Sequence, residues 1–251
     1  MRPATASIAR RCALWSSGAT MCIPTSARCS PTSMRSALAE SAGTPERLYS
    51  IRDKYRIVAE LLEEAQGTLL DAGARDRRLA REIDANRLRY ASADLGDGHD
   101  HRLDLEGPLP FPDRRFDHVV ALDVLEHLEH IHLGFRELAR IAARSLIVAL
   151  PNLATLPRRF TFLLRGHLRT GKYHLAPEPP GDRHRWLTVY PQIDDFVRVN
   201  ARQAGLELVR IVEELEGGRI GARAGLVAAR LGLLPAGWLT QRCIYQLRRG
   251  A

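Results

Sequence analysis

From residue 44 onward the chain alternates between short apolar runs and segments in which apolar side chains recur at helical spacing. Residues 68–73 read as a buried strand ending in a turn at Gly73. Residues 89–95, 101–105, 116–122, 146–150, 206–212 and 242–247 read as further strands, with Pro151 closing the one at 146–150. Between them, Thr44-Pro45-Glu46 reads as a helix start continued by Leu48, Ile51, Tyr55, Val58, Leu61 and Leu62. Residues 76–83 read as the next helix. A third runs from Asp123 through Val124, Leu125, Leu128, Ile131 and Leu138, with Glu126, Glu129 and Glu137 on its polar side. Ile193, Phe196, Val197 and Asn200 suggest another, and residues 219–234 a mostly helical basic-apolar excursion. Strands alternating with helices predict parallel βαβ units and an α/β three-layer sandwich.

Two stretches break this rhythm. Residues 1–43 are rich in Ala, Ser, Thr and Arg, have no acid before Glu40 and show no hydrophobic period. Such a segment cannot bury enough surface to offset chain entropy. It is expected to be a disordered leader, transit-peptide-like in composition, or the product of an upstream start codon with Met34 as the true start. Residues 152–190 are polar, aromatic and basic, and long irregular segments of this kind are usually functional or disordered. They are assigned as an insert for acceptor binding within one domain spanning 44–251.

Charge changes the picture less than its total suggests. Of the formal +8, five charges come from Arg2, Arg10, Arg11, Arg28 and Arg35 in the leader, leaving +3 on the body. That argues against a nucleic-acid partner, which needs basic residues concentrated on a folded face. No run approaches the roughly 18 apolar residues of a membrane-spanning helix, so only peripheral membrane contact stays open. Cys12, Cys22 and Cys29 lie in the leader and Cys243 stands alone. No metal-ligand spacing and no disulfide framework emerges, and a reducing, cytoplasmic location is expected.

The organising stretch is the strand at 116–122 running into Asp123-Val124-Leu125-Glu126-His127, because open α/β sheets bind ligands at the carboxyl ends of their strands. Asp123 could equally cap the helix that follows. Leu109-Pro110-Phe111-Pro112-Asp113, then Phe116-Asp117-His118-Val119-Val120, then Asp123-Val124-Leu125-Glu126-His127 together resemble the central block of class I S-adenosylmethionine-dependent methyltransferases. The resemblance implies a Rossmann-like methyltransferase fold: a mostly parallel seven-stranded sheet with an antiparallel last strand. It also implies S-adenosyl-L-methionine as cofactor and a small-molecule, lipid or glycan acceptor.

It further implies cofactor contacts from Asp71 and Gly73 at the first strand end. Asp104 would meet the adenine amino group, with Leu105 beside the ring and Leu122 and Asp123 on the opposite wall. Asp94 follows Gly73 by 21 residues, where Rossmann-like sites place an acid for the ribose hydroxyls; the alternative is a turn Asp before Gly96 and Gly98. Three acids at successive strand ends, Asp71, Asp94 and Asp104, suggest an anionic cleft. The glycine loop departs from the family pattern, with Arg75 and Arg77 where two further glycines are expected. This leaves a second reading, a catalytically silent methyltransferase-like binding or partner protein. The candidate catalytic groups are His127, in the family's Glu-His position, then His184 and Tyr173 in the insert, with Arg183 and Arg185 as anion holders or solvated loop charges.

Overall fold

Among the described residues eight strands share one sheet in the order β1-β7-β8-β6-β5-β2-β3-β4. They are β1 Glu46–Ser50, β2 Gly67–Ala72, β3 Leu88–Asp94, β4 His101–Arg102, β5 Phe116–Leu122, β6 Ala142–Pro151, β7 Leu206–Leu215 and β8 Thr240–Arg249. The protein is described by a computed structural model that covers residues 44–168, 171–173, 183–215, 227 and 237–250. The leader at 1–43 and nearly all of the excursion at 219–234 lie outside these residues. Every pairing is parallel except those of β8, which runs antiparallel to both β6 and β7.

The pleat divides the core into two layers. Leu70, Val119, Leu146, Val148, Ile211 and Tyr245 face one side, where they meet α2 (Ile131–Ile141) through Phe135 and Leu138, and α4 (Gln192–Gln203) through Ile193 and Val197. Leu69, Val120, Ile147, Val212 and Ile244 face the other, against Ile57 and Val58 of α1 (Lys54–Leu61). Alternate residues on one strand thus serve opposite layers, as expected of a sheet covered on both faces.

The extra strand is β1, where helical spacing had been read. Asp53 caps α1, its carboxylate accepting from the backbone N–H of Tyr55 at 3.0 Å and of Arg56 at 3.4 Å, so the helix begins only at Lys54. The preceding residues instead pair with the outer edge of β7, held by Arg47 on Glu213 and by Arg210 on Glu46 at 2.8 Å. The helix expected at 76–83 is one 3-10 turn, Arg78–Arg81, preceded by Arg77 in a left-handed conformation with φ 54°. The helix expected from Asp123 starts at Ile131, because Asp123 is left-handed (φ 57°) and is followed only by a 3-10 turn, Leu125–His127. The carboxylate of Glu106 holds the gap open, accepting from Glu129 N–H at 2.6 Å and His130 N–H at 3.0 Å.

The insert carries α3 (Leu156–Arg165), with a proline in its first turn and left-handed Gly166 as its stop. It follows the carboxyl end of β6 and exposes Phe160, Phe162, Leu163 and Leu164 beside Arg165. Among the described residues no helix is long and apolar enough to cross a membrane.

Candidate functional site

The chain leaves β2 outward through β3 and β4, then returns to β5 on the other side of β2. Such a switch point opens a crevice at the carboxyl ends of the two strands. A cleft of about 560 Å³ lies there. Gly73, Asp94, Asp104, Leu105, Leu122, Asp123 and His127 all line it, whereas Asp71, Tyr173 and His184 stand behind its walls.

The loop after β2 is closely packed at one point. A Cβ at Gly73 would fall 2.2 Å from Val124 Cγ2, and its φ is +77°, so this position requires glycine. Arg75 and Arg77 keep the backbone that glycine would adopt, with φ 45° and 54°. The loop therefore has a glycine-rich trace with arginine side chains. The Arg77 guanidinium turns away to donate to the Gly98 carbonyl, and the Arg75 side chain is exposed at the cleft rim.

Asp94 Oδ2 accepts from Arg75 N–H at 2.9 Å and Oδ1 from Leu95 N–H at 2.7 Å. Each carboxylate oxygen offers about two acceptor positions, so both retain capacity toward the cleft. Asp104 is exposed, its Oδ1 accepting from Glu106 N–H at 2.9 Å. Leu103, Leu105 and Ala93 supply apolar floor beside it.

Asp71 differs from these two. It is buried, accepts from the Tyr90 hydroxyl at 2.7 Å, and burial pushes its carboxyl up to about 6 against the pull of that bond and of Lys54. A raised folded value means that this group's stabilising contribution is complete below its ordinary 3.8 and is lost as the pH rises through about 6. Denaturant unfolding of Asp71→Asn beside the native chain should show the variant's relative stability climbing across that window and levelling above it. A constant difference would show that Asp71 is not perturbed.

The expected anionic cleft is a misreading. Of the three acids invoked, Asp71 is out of the cleft, and Lys54, Arg75, Lys172, Arg183 and Arg185 stand among the lining residues against Asp94, Asp104, Glu106 and Asp123. Asp123 is moreover neutralised in place. Its Oδ2 accepts from Lys54 Nζ at 2.8 Å and its Oδ1 from Arg242 Nε at 2.7 Å. Burial would raise its carboxyl, but Arg242 and Lys54 outweigh that and hold it below the usual carboxylate range.

On the other wall His127 faces the cleft from the 3-10 turn, and its Nδ1 lies 3.0 Å from the Arg183 carbonyl. Tyr173 Oη donates to the Trp186 carbonyl at 2.6 Å and contacts His184 Nδ1 at 2.8 Å. Burial drives the Tyr173 phenol well above its ordinary value, so it stays protonated and serves to orient His184. Glu126, read from the sequence as part of a polar face, is fully buried instead. Burial and the neighbouring Asp123 charge push its carboxyl up to about 8. No periodicity signals that reversal, since it depends on the left-handed turn at Asp123.

A doubly wound sheet with an antiparallel strand between β6 and β7, and a cleft at its switch point, defines a Rossmann-like methyltransferase fold. The family described as a methyltransferase domain matches residues 46–210, and the chain belongs to it. Among solved structures the chain is similar to magnesium protoporphyrin IX methyltransferase from Synechocystis with bound SAH, at 17% identity over 78% of this chain and 82% of that one (TM-score 0.49). It is similar to the 4+2 cyclase SpnF at 16% identity over 88% and 92% (TM-score 0.49). The YcgJ protein of Bacillus subtilis matches at 13% identity over 78% and 98% (TM-score 0.44). No curated protein matches in sequence.

Proposed function

We propose that the protein transfers a methyl group from S-adenosyl-L-methionine to a small-molecule, lipid or glycan acceptor. The observation that carries this reading is the convergence of Gly73, Asp94, Asp104, Leu105, Leu122 and Asp123 on one cleft at the switch point. The residues fit the cofactor: a backbone at Gly73 that lines the cleft without a side chain of its own, paired acceptor oxygens on Asp94, and apolar floor beside Asp104. Bound there, the cofactor supplies an electrophilic methyl group on a sulfonium.

In this reading Asp94 accepts from the vicinal ribose hydroxyls and Asp104 from the adenine amino group, with Leu105 and Leu122 against the rings. Lys54 and Arg242 hold Asp123 ionised and fixed, so the wall at Val124 keeps its shape. His127, backed by Glu126 and His184, forms the polar group that meets the acceptor. Loss of charge in the transfer step makes alignment and water exclusion the main tasks. The exposed apolar residues of α3, rooted at the cleft end of β6, support an amphipathic or lipid acceptor within the proposed range.

Calorimetric titration with S-adenosyl-L-homocysteine tests the cofactor assignment, and an absence of binding would sink it. Asp94→Ala should weaken that binding by about 1.5–3 kcal/mol, the range for hydrogen bonds to a charged group. Unchanged affinity in this variant would remove Asp94 from the site.

A further inference from the structure

The cysteines offer no metal-ligand spacing, yet the fold brings three other donor side chains together at the cleft wall. The turn Leu125–His127 and the segment from Arg183 to Trp186 are joined by backbone and side-chain bonds. Arg185 N–H donates to the Glu126 carbonyl at 2.8 Å, and Trp186 Nε1–H to the Leu128 carbonyl at 2.8 Å. Between them the Glu126 side chain is only 1% exposed, and neither of its carboxyl oxygens has a hydrogen-bond partner among the described residues. An ionisable group so enclosed is costly unless something compensates it.

Two imidazoles converge on that carboxyl. His127 Nε2 lies 3.9 Å and His184 Nε2 3.8 Å from Glu126 Oε1, and the donor atoms of all three residues lie within 4.8 Å of one another. These separations are too long for direct hydrogen bonds. The other nitrogen of each ring fixes its tautomer. His127 Nδ1 meets the Arg183 carbonyl, which only accepts, so Nδ1 carries the hydrogen. His184 Nδ1 meets Tyr173 Oη, whose own hydrogen goes to the Trp186 carbonyl, so Nδ1 carries the hydrogen there too. In their neutral forms both rings then carry the hydrogen on Nδ1, and Nε2 is the basic nitrogen that lies 3.8–3.9 Å from the carboxyl. Histidines that ligate metals are held in this way, the second ring N–H donating to a protein acceptor.

We propose that Glu126, His127 and His184 form a binding site for a divalent first-row transition cation. Two imidazoles and one carboxylate suit zinc or its neighbours and leave a coordination position open. Tetrahedral ligation at about 2.0–2.2 Å puts donors roughly 3.3–3.6 Å apart, so the three donors, now within 4.8 Å of one another, draw together as the cation binds. Arg183, Tyr173 and Trp186 supply the outer contacts that orient the rings. Because His127 lines the cleft, the cation stands at the acceptor wall. Resting on the methyl-transfer reading, its open position would take an acceptor oxygen and lower the cost of removing its proton.

The test uses the full chain without cofactor or acceptor, stripped by chelation and dialysed against Zn²⁺, with bound metal measured by mass spectrometry. Co²⁺ in place of zinc reports histidine ligation through its visible absorption. Glu126→Gln, which preserves size, and His184→Ala should each retain about one equivalent less metal than the native chain and bind it at least about tenfold more weakly. Zinc held by Cys12, Cys22 and Cys29 would be common to all three and cancel. Equal metal content in the native chain and both variants, or a Co²⁺ spectrum that the variants leave unchanged, would overturn the site. A thermal melt of each metal-free variant separates lost ligation from lost fold. Titration with S-adenosyl-L-homocysteine on the same samples is independent: metal bound without affinity for S-adenosyl-L-homocysteine would keep the site and remove the methyl-transfer reading.

Discussion

Asp123→Asn is expected to destabilise the protein by about 3–5 kcal/mol, the cost of leaving buried cations without their partner. The carboxylate sits between Lys54 and Arg242, whose side chains are 16% and 20% exposed while its own is 19% exposed. Asparagine tolerates the left-handed backbone, so the variant isolates the charge from the turn. Arg242 retains Glu214, which places the effect toward the lower end of the range. The folded carboxyl is depressed, so the pair's contribution is fully present above the ordinary 3.8 and disappears as the pH falls through the lower folded value. Denaturant unfolding at neutral pH should show the whole loss, and at strongly acid pH the variant and the native chain should converge. A neutral-pH loss below the ~1 kcal/mol of an exposed pair would mean that the triad is solvated.

Gly73→Ala is the second large effect. The left-handed backbone costs alanine about 1–2 kcal/mol, and the new Cβ meets Val124 Cγ2 at 2.2 Å. Val124 is stiff about its first side-chain bond and has little freedom to yield, so overpacking adds about 1–3 kcal/mol. The strain falls on the contact between the β2 and β5 loops. The melting temperature should therefore drop and affinity for S-adenosyl-L-homocysteine should fall with it. Arg77→Gly, at a position already left-handed and directed to Gly98, should leave that affinity in place. A Gly73→Ala chain with native melting and native affinity would show that the two loops do not pack as described.

The central strands were legible because continuous apolar runs such as Phe116–Leu122 have few other uses in a chain of this kind. β1 was not, since Leu48 and Ile51 are 40% and 45% exposed and their spacing fits a helix as well as an edge strand. What decides it is Asp53 as cap and the bare edge of β7, and only the second needs the tertiary structure. The cleft residues were recoverable for the same reason that strand ends are: position along an α/β sheet fixes which side chains reach its switch point. The charge of the cleft was not, because Lys54 and Arg242 reach Asp123 from 69 and 119 residues away. Glu126 was hidden by its chemistry, as a glutamate at a helical polar position reads as solvent-facing until the turn at Asp123 is known.

The place of β8 has a consequence for how the chain is made. The last strand in sequence lies in the interior of the sheet, and until Thr240–Arg249 exists β6 and β7 have no neighbour on their facing edges. β1 waits as well, because among the described strands its partner is β7. During synthesis the first half of the sheet, from β4 to β6, can pair as it leaves the ribosome, while the other half must stay open until Thr240–Arg249 has been made. Two apolar strand edges are then exposed together on a nascent chain, the condition under which chaperones engage and aggregation begins. The wait for β8, not the formation of the cleft, is the stage at which this fold is most vulnerable.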